Sequence, residues 1–201
     1  MPFEFVAGAL CLDFANTIHN FRAEDKEEDL RAISDLLQWA NEAGLLSSAE
    51  HGRLSMHYKR NPRKAAAALT KAVTMRDLLI SIFSTIENGR PVSSKRLSEL
   101  NSVLAQIPGL LRVHRKSVRI EKEWTSTADG LQQILFAILI SAAELLASDR
   151  LGRIRECGSA DCTWFFIDES RNHSRRWCEM SACGNRMKAR RHYQRSKAAQ
   201  Q

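Results

Sequence analysis

The hydrophobic residues of the first 105 positions recur every three or four residues, which predicts a series of amphipathic helices. Leu10, Phe14, Ile18 and Phe21 form the first such pattern. A second pattern runs from 30 to 40 and ends before a glycine, the usual left-handed stop. Local signals mark the remaining helix ends: a capping box at Ser47 and Glu50, Asn61 before Pro62, Gly89, and Pro108.

The period of the pattern then changes twice. Between Leu111 and Trp124 apolar and charged residues alternate on either side of a turn near 115–117, which predicts a β-hairpin with one solvated face. From Ala128 to Ala147 the residues are apolar on nearly every side of a predicted helix. A helix of that kind is expected at the centre of the core.

A polar segment, Ser148 to Arg153, divides the chain into two predicted parts. Residues 1–150 are expected to form a helical domain with its own core and one β-hairpin. Residues 151–201 are expected to form a small module with the order loop, β-hairpin, loop and helix, similar to a treble clef. The fold class is therefore mainly α, and 201 residues with 44% hydrophobic content are sufficient for a buried core.

Charge separates the two parts more sharply than composition does. The chain carries a formal net charge of +7, and +6 of that falls between Leu151 and Gln201. Such asymmetry favours a polyanionic partner for the C-terminal part. The N-terminus lacks a basic signal region, and the longest apolar run, Ile134–Ile140, is far shorter than the ~20 residues of a membrane helix. We therefore expect a cytoplasmic protein with no membrane partner.

Four of the five cysteines lie in the C-terminal part as two pairs, Cys157 with Cys162 and Cys178 with Cys183. In a reducing compartment such pairs favour metal over disulfides, and four thiolates complete a tetrahedral structural zinc site. Four metal-free thiols remain the alternative, and a catalytic zinc, which needs an open position, fits less well. His173 and His192 are substitute ligands that the site does not require, and the isolated Cys11 is expected to be a small buried hydrophobe.

The segment between the pairs predicts a hairpin. Residues 163–167 (TWFFI) are strand formers, and Arg175–Trp177 are expected to return antiparallel to them across a turn at 168–172. Trp164, Phe166 and Trp177 are expected to form a small core beneath the metal.

A basic helix is predicted after the last cysteine, over Asn185 to Ser196. The longer segment from 171 to 197 contains nine Lys or Arg and one acidic residue. Phosphate contacts explain that charge better than a merely solvated helix, and the amides of Gly184 and Asn185 are expected to face an anion. Arg and Asn also read base edges. The candidate DNA-binding residues are Arg175, Arg176, Asn185, Arg186, Lys188, Arg190 and Arg191.

Polar residues interrupt the first apolar pattern. Asp13, Asn16 and Thr17 fall on one face of the predicted helix and, with His19, are candidates for a ligand pocket. The alternative is that Asp13 and Asn16 bind backbone groups of neighbouring segments.

Several motifs in the C-terminal part resemble the CGNR zinc finger: CGSADC, Trp164 to Asn172, SRRWC, KARRHYQR and the tetrapeptide Cys183–Arg186 itself. The segment from Gly8 to Thr17 resembles the opening of the helical ABATE domain, which accompanies this finger in bacterial proteins regarded as stress-induced transcription regulators. The resemblance implies a DNA-binding finger and a helical domain that senses a ligand.

Two functional hypotheses follow. The first is a transcription regulator that binds duplex DNA through a zinc finger under the control of a small-molecule effector. Because one finger makes a small interface, this hypothesis includes a homodimer reading two half-sites. The second is a zinc-stabilised module that binds RNA or an acidic protein. No nucleophile–base pair or phosphate loop is evident, so we do not expect an enzyme.

Overall fold

The computed structural model describes residues 3–24, 26–105, 111–116, 119–124 and 130–198, and of 111–116, 119–124 and 198 it describes the backbone alone. The described chain is mainly helical, with three two-stranded antiparallel sheets. Its helices are α1 (Leu10–Ala15), α2 (Ile33–Glu42), α3 (Ser48–Arg60), α4 (Pro62–Glu87), α5 (Ser94–Leu104), α6 (Gly130–Leu146) and α7 (Asn185–Ala198). Its strands are β1 (Ile18–His19), β2 (Glu27–Glu28), β3 (Leu111–Lys116), β4 (Arg119–Trp124), β5 (Ile154–Glu156) and β6 (Phe165–Ile167).

Local sequence signals set most helix ends as predicted. Ser47 and Glu50 form the expected capping box, in which the Glu50 carboxylate accepts the Ser47 N–H at 2.8 Å. Gly44 follows α2 with φ +74°, the left-handed conformation that favours glycine. Asn61 departs from the prediction: Pro62 does open α4, but the Asn61 amide donates to His57 O in the last turn of α3, at 2.8 Å, and makes no bond that caps α4.

Helix α1 is shorter than its hydrophobic spacing predicts, which corrects our assignment of Ile18 and Phe21 to it. It ends at Ala15, and Ile18–His19 instead pair with Glu27–Glu28 as strands β1 and β2. Polar side chains explain this end. Thr17 donates its hydroxyl to Phe14 O at 2.8 Å, and the Asn16 amide binds the backbone of Phe165, so neither supports another helical turn.

Helix α6 lies at the centre of the core, as its all-round apolar character predicts. It packs against α1, α4 and α5. Ile134, Ile138, Leu139 and Ala142 are fully buried. The predicted hairpin is also confirmed as β3 paired with β4, from Leu111↔Trp124 to Lys116↔Arg119. The turn positions 117–118 and the predicted stop at Pro108 lie outside the described residues.

The C-terminal hairpin forms from different strands than predicted. Strand β6 pairs with β5, in the register Ile154↔Ile167 to Glu156↔Phe165, and 175–177 form no strand. The first cysteine pair lies in the turn of this hairpin, where Cys157 N donates to Trp164 O at 2.8 Å. The 175–177 segment approaches the cysteine turn instead, since Arg176 O accepts Gly158 N at 2.8 Å.

The two faces of β6 belong to two different cores. Phe165 and Ile167 lie in the main hydrophobic core together with Ile154 of β5. Trp164 and Phe166 lie in a second cluster with the four paired cysteines, against which Trp177 packs as predicted. Successive side chains of a β-strand point to opposite faces, so one strand can contribute to two cores. The predicted boundary near 148–153, a 3₁₀ helix at Asp149–Arg153, therefore separates two segments that share one core.

Candidate zinc centre, basic helix and polar cavity

The four predicted cysteine ligands meet at one point. Their sulfur atoms all lie within 4.8 Å of one another, and each cysteine is at most 6% exposed. The Sγ atoms of Cys162 and Cys178 are 3.8 Å apart and those of Cys178 and Cys183 are 3.5 Å apart. Four Zn–S bonds of ~2.3 Å in a tetrahedron place the sulfurs ~3.8 Å apart, so the cluster fits zinc.

Two tight turns position these sulfurs. The first joins β5 to β6, and the second is a π-helical turn, Met180–Gly184, that leads into α7. Gly184 is closely packed here: a Cβ would lie 2.4 Å from the sulfur of the half-exposed Met180 and 3.1 Å from the Trp177 ring, so a larger residue would require Met180 to move. The metal cluster is thus directly connected to the start of the basic helix.

The thiols of the cluster interact strongly with one another. Hydrogen bonds from Cys162 and Cys178 lower the pKa of Cys157, and that interaction raises the pKa of both partner thiols. Without a metal the cluster therefore favours one thiolate held by its neighbours. A divalent cation reverses this balance and stabilises all four thiolates.

The other candidate ligands lie outside the cluster. His173 is exposed, and its Nδ1 is 3.3 Å from Asp168 O. His192 is exposed on α7. Cys11 is fully buried beside α6, and burial raises the pKa of its thiol to about 12, in keeping with the predicted hydrophobic role.

Asp168 organises the loop between β6 and Cys178, a role that our sequence reasoning missed. Its buried carboxylate accepts the Ser170 N–H at 3.0 Å, the Ser170 hydroxyl at 2.5 Å and the Arg175 N–H at 3.0 Å. Burial opposes the charged form, but these donors outweigh it and lower the pKa of Asp168. The signal in the sequence is the Asp-x-Ser spacing, which is typical of such turns.

Arg175, one of the candidate DNA-binding residues, is directed into the protein. Its guanidinium donates to Trp177 O at 3.0 Å, to Cys178 O and to Val6 O at 3.3 Å. It also stacks 4.5 Å from the centre of the Phe166 ring. These contacts brace the second cysteine loop and use the Nε and Nη2 donors of Arg175.

The remaining candidates face solvent. Asn185 and the four cations at 186, 188, 190 and 191 are exposed on α7, and Arg176 is exposed in the preceding loop. Arg190 has a loose ion pair with Asp161, at 3.6 Å, in which both side chains are about half exposed. The predicted free amides are absent, since Gly184 N donates to Glu179 O and Asn185 N donates to the π-helical turn. The prediction of free amides was wrong because the π-helical turn continues into α7, so that backbone carbonyls accept the amides of Gly184 and Asn185.

All four predicted pocket residues line one cavity of about 590 Å³ between the helical part and the zinc hairpin. The Asn16 side chain binds both backbone groups of Phe165, at 2.9 and 2.8 Å. Asp13 accepts Ala7 N–H at 2.9 Å, and His19 is 3.1 Å from Asp29. Both interpretations of these residues therefore have support, since they satisfy backbone groups and also line a cavity.

An ion pair between the buried Arg76 and the partly exposed Glu28 contacts Thr17 of the cavity lining, and the sequence reasoning did not include it. Arg76 of α4 is 1% exposed. It makes two hydrogen bonds to the Glu28 carboxylate, at 2.6 and 2.7 Å, and another to the Thr17 hydroxyl at 3.3 Å. An arginine among the apolar positions of a long helix was its only signal in the sequence.

A helical domain joined to a four-cysteine zinc finger is the class of protein that this fold and cluster define. A family model described as "CGNR zinc finger" matches residues 153–196. A second model, ABATE, described as "Putative stress-induced transcription regulator", matches residues 8–149. The ABATE model covers more than half of the chain, so the chain belongs to the ABATE family. No curated protein matches the chain, and within the described residues no helix has the length and apolar character needed to cross a membrane.

Proposed function

We propose that this protein is a transcription regulator that binds duplex DNA through α7 and the loop before it, under the control of a ligand in the polar cavity. The observation that carries the proposal is the exposed charge of α7. From Lys188 to Lys197 every side chain is exposed, and between 185 and 197 only Met187 is half-buried. The chain thus maintains a helix that contributes little to its own core, which is expected when the helix serves a partner.

The cysteine cluster fixes the position of the N-terminus of this helix. Cys183 lies two residues before α7, within the π-helical turn that continues into it. A metal at the cluster therefore orders the first turn of α7, and the five exposed cations Arg176, Arg186, Lys188, Arg190 and Arg191 are presented together. Arg190 has a loose ion pair with Asp161 and Arg176 lies over the Trp177 ring, but both remain exposed. Exposed cations on one helix and the loop before it are suited to phosphates.

Duplex DNA is favoured over single-stranded nucleic acid by the positions of the aromatic residues. Trp164, Phe165 and Phe166 are buried and Trp177 is half-buried. Among the described residues beyond 150, Tyr193, 69% exposed, is the one large aromatic open to solvent. Single-strand binding usually relies on several exposed stacking platforms. A basic helix that lacks them suits the grooves and backbone of a duplex.

Within this surface we assign base reading to the start of α7 and phosphate binding to its middle. Recognition helices often read bases with their N-terminal residues. The Arg186 side chain is exposed there, whereas the Asn185 amide already donates to Ser181 O at 3.1 Å. A homodimer that reads two half-sites, and a binding rather than catalytic role in the cytoplasm, are part of this proposal.

The experiment is a titration of labelled duplex DNA with the zinc-loaded chain at several salt concentrations. Contacts with four or five phosphates predict a log–log slope of about −4. Arg190→Ala is expected to weaken binding to all sequences and to flatten the slope by about 0.9. The matched control is Arg63→Ala, an exposed cation on α4, which is expected to leave the slope unchanged. Stronger binding to RNA, or salt-insensitive binding, would favour the RNA or protein-partner alternative.

A further inference from the structure

The cavity between the helical part and the zinc hairpin has a buried floor and an exposed rim. The floor consists of Asp13, Asn16, Thr17, Trp39 and Trp164, none more than 8% exposed. The rim carries exposed polar side chains, among them Glu4, Glu27 and Arg31. At about 590 Å³ the cavity is of the size that binds small molecules.

The charge of the lining is strongly negative. Five carboxylates line the cavity against one arginine and one histidine: Glu4, Asp13, Glu27, Asp29 and Asp35, with Arg31 and His19. Two of the carboxylates already have partners, since Asp29 binds His19 and Asp35 caps α2. Asp13 is the buried member of the set, and in the described structure it has no cationic partner. Burial raises the pKa of this carboxyl to about 6, a cost that a cation in the cavity would remove.

Aromatic rings complete the walls. Trp39 comes from α2 and Trp164 from the zinc hairpin, and Phe3 lies beside them. The ring of Trp164 lies 4.8 Å from that of His19. Trp39 is fully buried against Phe5 and Phe14, so Trp164 and Phe3 are the rings open to a ligand in the cavity. Aromatic rings next to carboxylates that lack a cationic partner are the usual environment of a bound organic cation.

We infer that this cavity binds a small organic cation, an amine with an ammonium group that pairs with Asp13 and a body that packs against Trp164 and Phe3. The inference rests on the proposed ligand control and specifies its chemistry. Net negative charge excludes a simple anion, because an anion would add to the repulsion among carboxylates that face one another. The aromatic walls favour an organic ammonium over a hydrated metal ion.

The same contacts couple the ligand to the zinc finger. Trp164 lies two residues after Cys162, one of the four candidate metal ligands, and the Trp164 carbonyl accepts the N–H of Cys157. The next residue, Phe165, is held at both backbone groups by Asn16 of the cavity floor. A cation bound between Asp13 and Trp164 therefore contacts both parts of the chain. It stabilises the docked position of the hairpin that carries two of the four metal ligands.

The test uses the full-length zinc-loaded chain and calorimetric titration with matched probes. The cations are 1,4-diaminobutane, phenethylamine and tetramethylammonium, and their controls are butyrate, phenylacetate and butanol. At least one cation is expected to bind and the anions and the alcohol are not. Absence of binding by all three cations, or equal binding of phenylacetate and phenethylamine, would overturn the inference.

Variants assign the binding to the cavity. Asp13→Asn retains the acceptor for Ala7 N–H and is expected to weaken cation binding at least about tenfold. Asp149→Asn removes an exposed carboxylate outside the cavity and is expected to change nothing. If Asp13→Asn does not fold, the exposed pair Glu4→Gln and Glu27→Gln replaces it, with an expected loss of roughly threefold. Unchanged affinity in the variant that is used would contradict the assignment.

Hydrogen exchange and DNA titration separate the possible failures. With a cation bound, the Phe165 amide is expected to exchange more slowly, and unchanged exchange would contradict the coupling to the finger. The DNA titration is run on the same preparation without a cation. Cation binding without DNA binding would refute the proposed function and leave the cavity assignment standing. DNA binding without cation binding would refute the cavity assignment alone.

Discussion

The helical part and the zinc-binding part of this chain achieve their stability by different means. The helical part surrounds α6, whose buried side chains are almost all aliphatic or aromatic. The zinc-binding part has a small cluster of its own, with Trp164 and Phe166 next to four thiols. Its four cysteines are placed to bind a metal, Asp168 organises its loop, and Phe165 and Ile167 of its hairpin lie in the core of the helical part. The difference between the parts is thus one of sequence and charge, whereas the hydrophobic core continues from one into the other.

The contacts between the parts are specific as well as apolar. Phe165 lies 6.1 Å from Phe83 and 5.9 Å from Phe21, measured between ring centres. Ile167 N donates to Ala7 O at 2.9 Å, and Phe165 exchanges two hydrogen bonds with Asn16. A chain ending near Arg150 would therefore lose part of the core. We expect it to be less stable than the full chain, whereas the sequence alone favours independent folding.

The largest effect is expected from removal of the metal. Zinc binding to four-thiolate sites contributes ~10–16 kcal/mol, more than the net stability of most domains. Cys162→Ser, or chelation, is expected to disorder the region beyond Cys157 while helices α2 to α6 persist. Zinc analysis and circular dichroism measure this, with Cys11→Ser, a buried cysteine outside the cluster, as the control that retains one zinc per chain. A fully ordered, metal-free finger would contradict the account.

A smaller but still large effect is expected at the junction. Asn16→Ala leaves the N–H and the C=O of Phe165 unpaired in a buried position, which costs about 3 kcal/mol in total. Urea denaturation measures this loss. Asn61→Ala removes an exposed amide that also binds a backbone carbonyl, and we expect it to cost less than about 0.5 kcal/mol. Equal effects of the two substitutions would mean that the junction contributes little.

The smallest of the three effects concerns Asp13 and depends on pH. Burial raises the pKa of its carboxyl from 3.8 to about 6 in the folded chain, so the folded state holds this proton more tightly than the unfolded state. The contribution of Asp13 to stability therefore falls as pH rises from about 4 to about 6. Without a bound cation, Asp13→Asn is expected to be more stable than the parent at pH 7.5, by up to about 2 kcal/mol. The difference should vanish near pH 4, and a variant less stable at pH 7.5 would contradict this assignment.

How far the sequence predicts the structure depends on the range of the interaction. Local signals such as the capping box at Ser47 and the all-round apolar α6 predict their elements correctly, because neighbouring residues decide them. The cysteine spacing predicts the zinc ligands since a metal requires a fixed donor set. The partner of β6 is decided over a distance, by the turn at Cys157–Cys162 and by Asp168, and no pattern within 163–177 indicates it.

The C-terminal end of α1 and the role of Arg175 are also decided by contacts that the local sequence pattern does not indicate. A helical period continues to Ile18 and Phe21, but side-chain bonds of Asn16 and Thr17 to other backbone groups end the helix earlier. Arg175 resembles its basic neighbours in the sequence, and only the fold shows that it contacts Phe166 and three carbonyls. Charge alone does not distinguish a bracing arginine from a phosphate-binding one.

The central claim is that a metal-ordered α7 presents its cations to duplex DNA, and one measurement tests it most directly. The affinity of the chain for duplex DNA is measured across salt concentrations, with zinc bound and after chelation. The account predicts a log–log salt slope of about −4 with zinc and a markedly weaker, flatter response without it. The same affinity and slope with and without zinc, or no binding at low salt with zinc present, would contradict it.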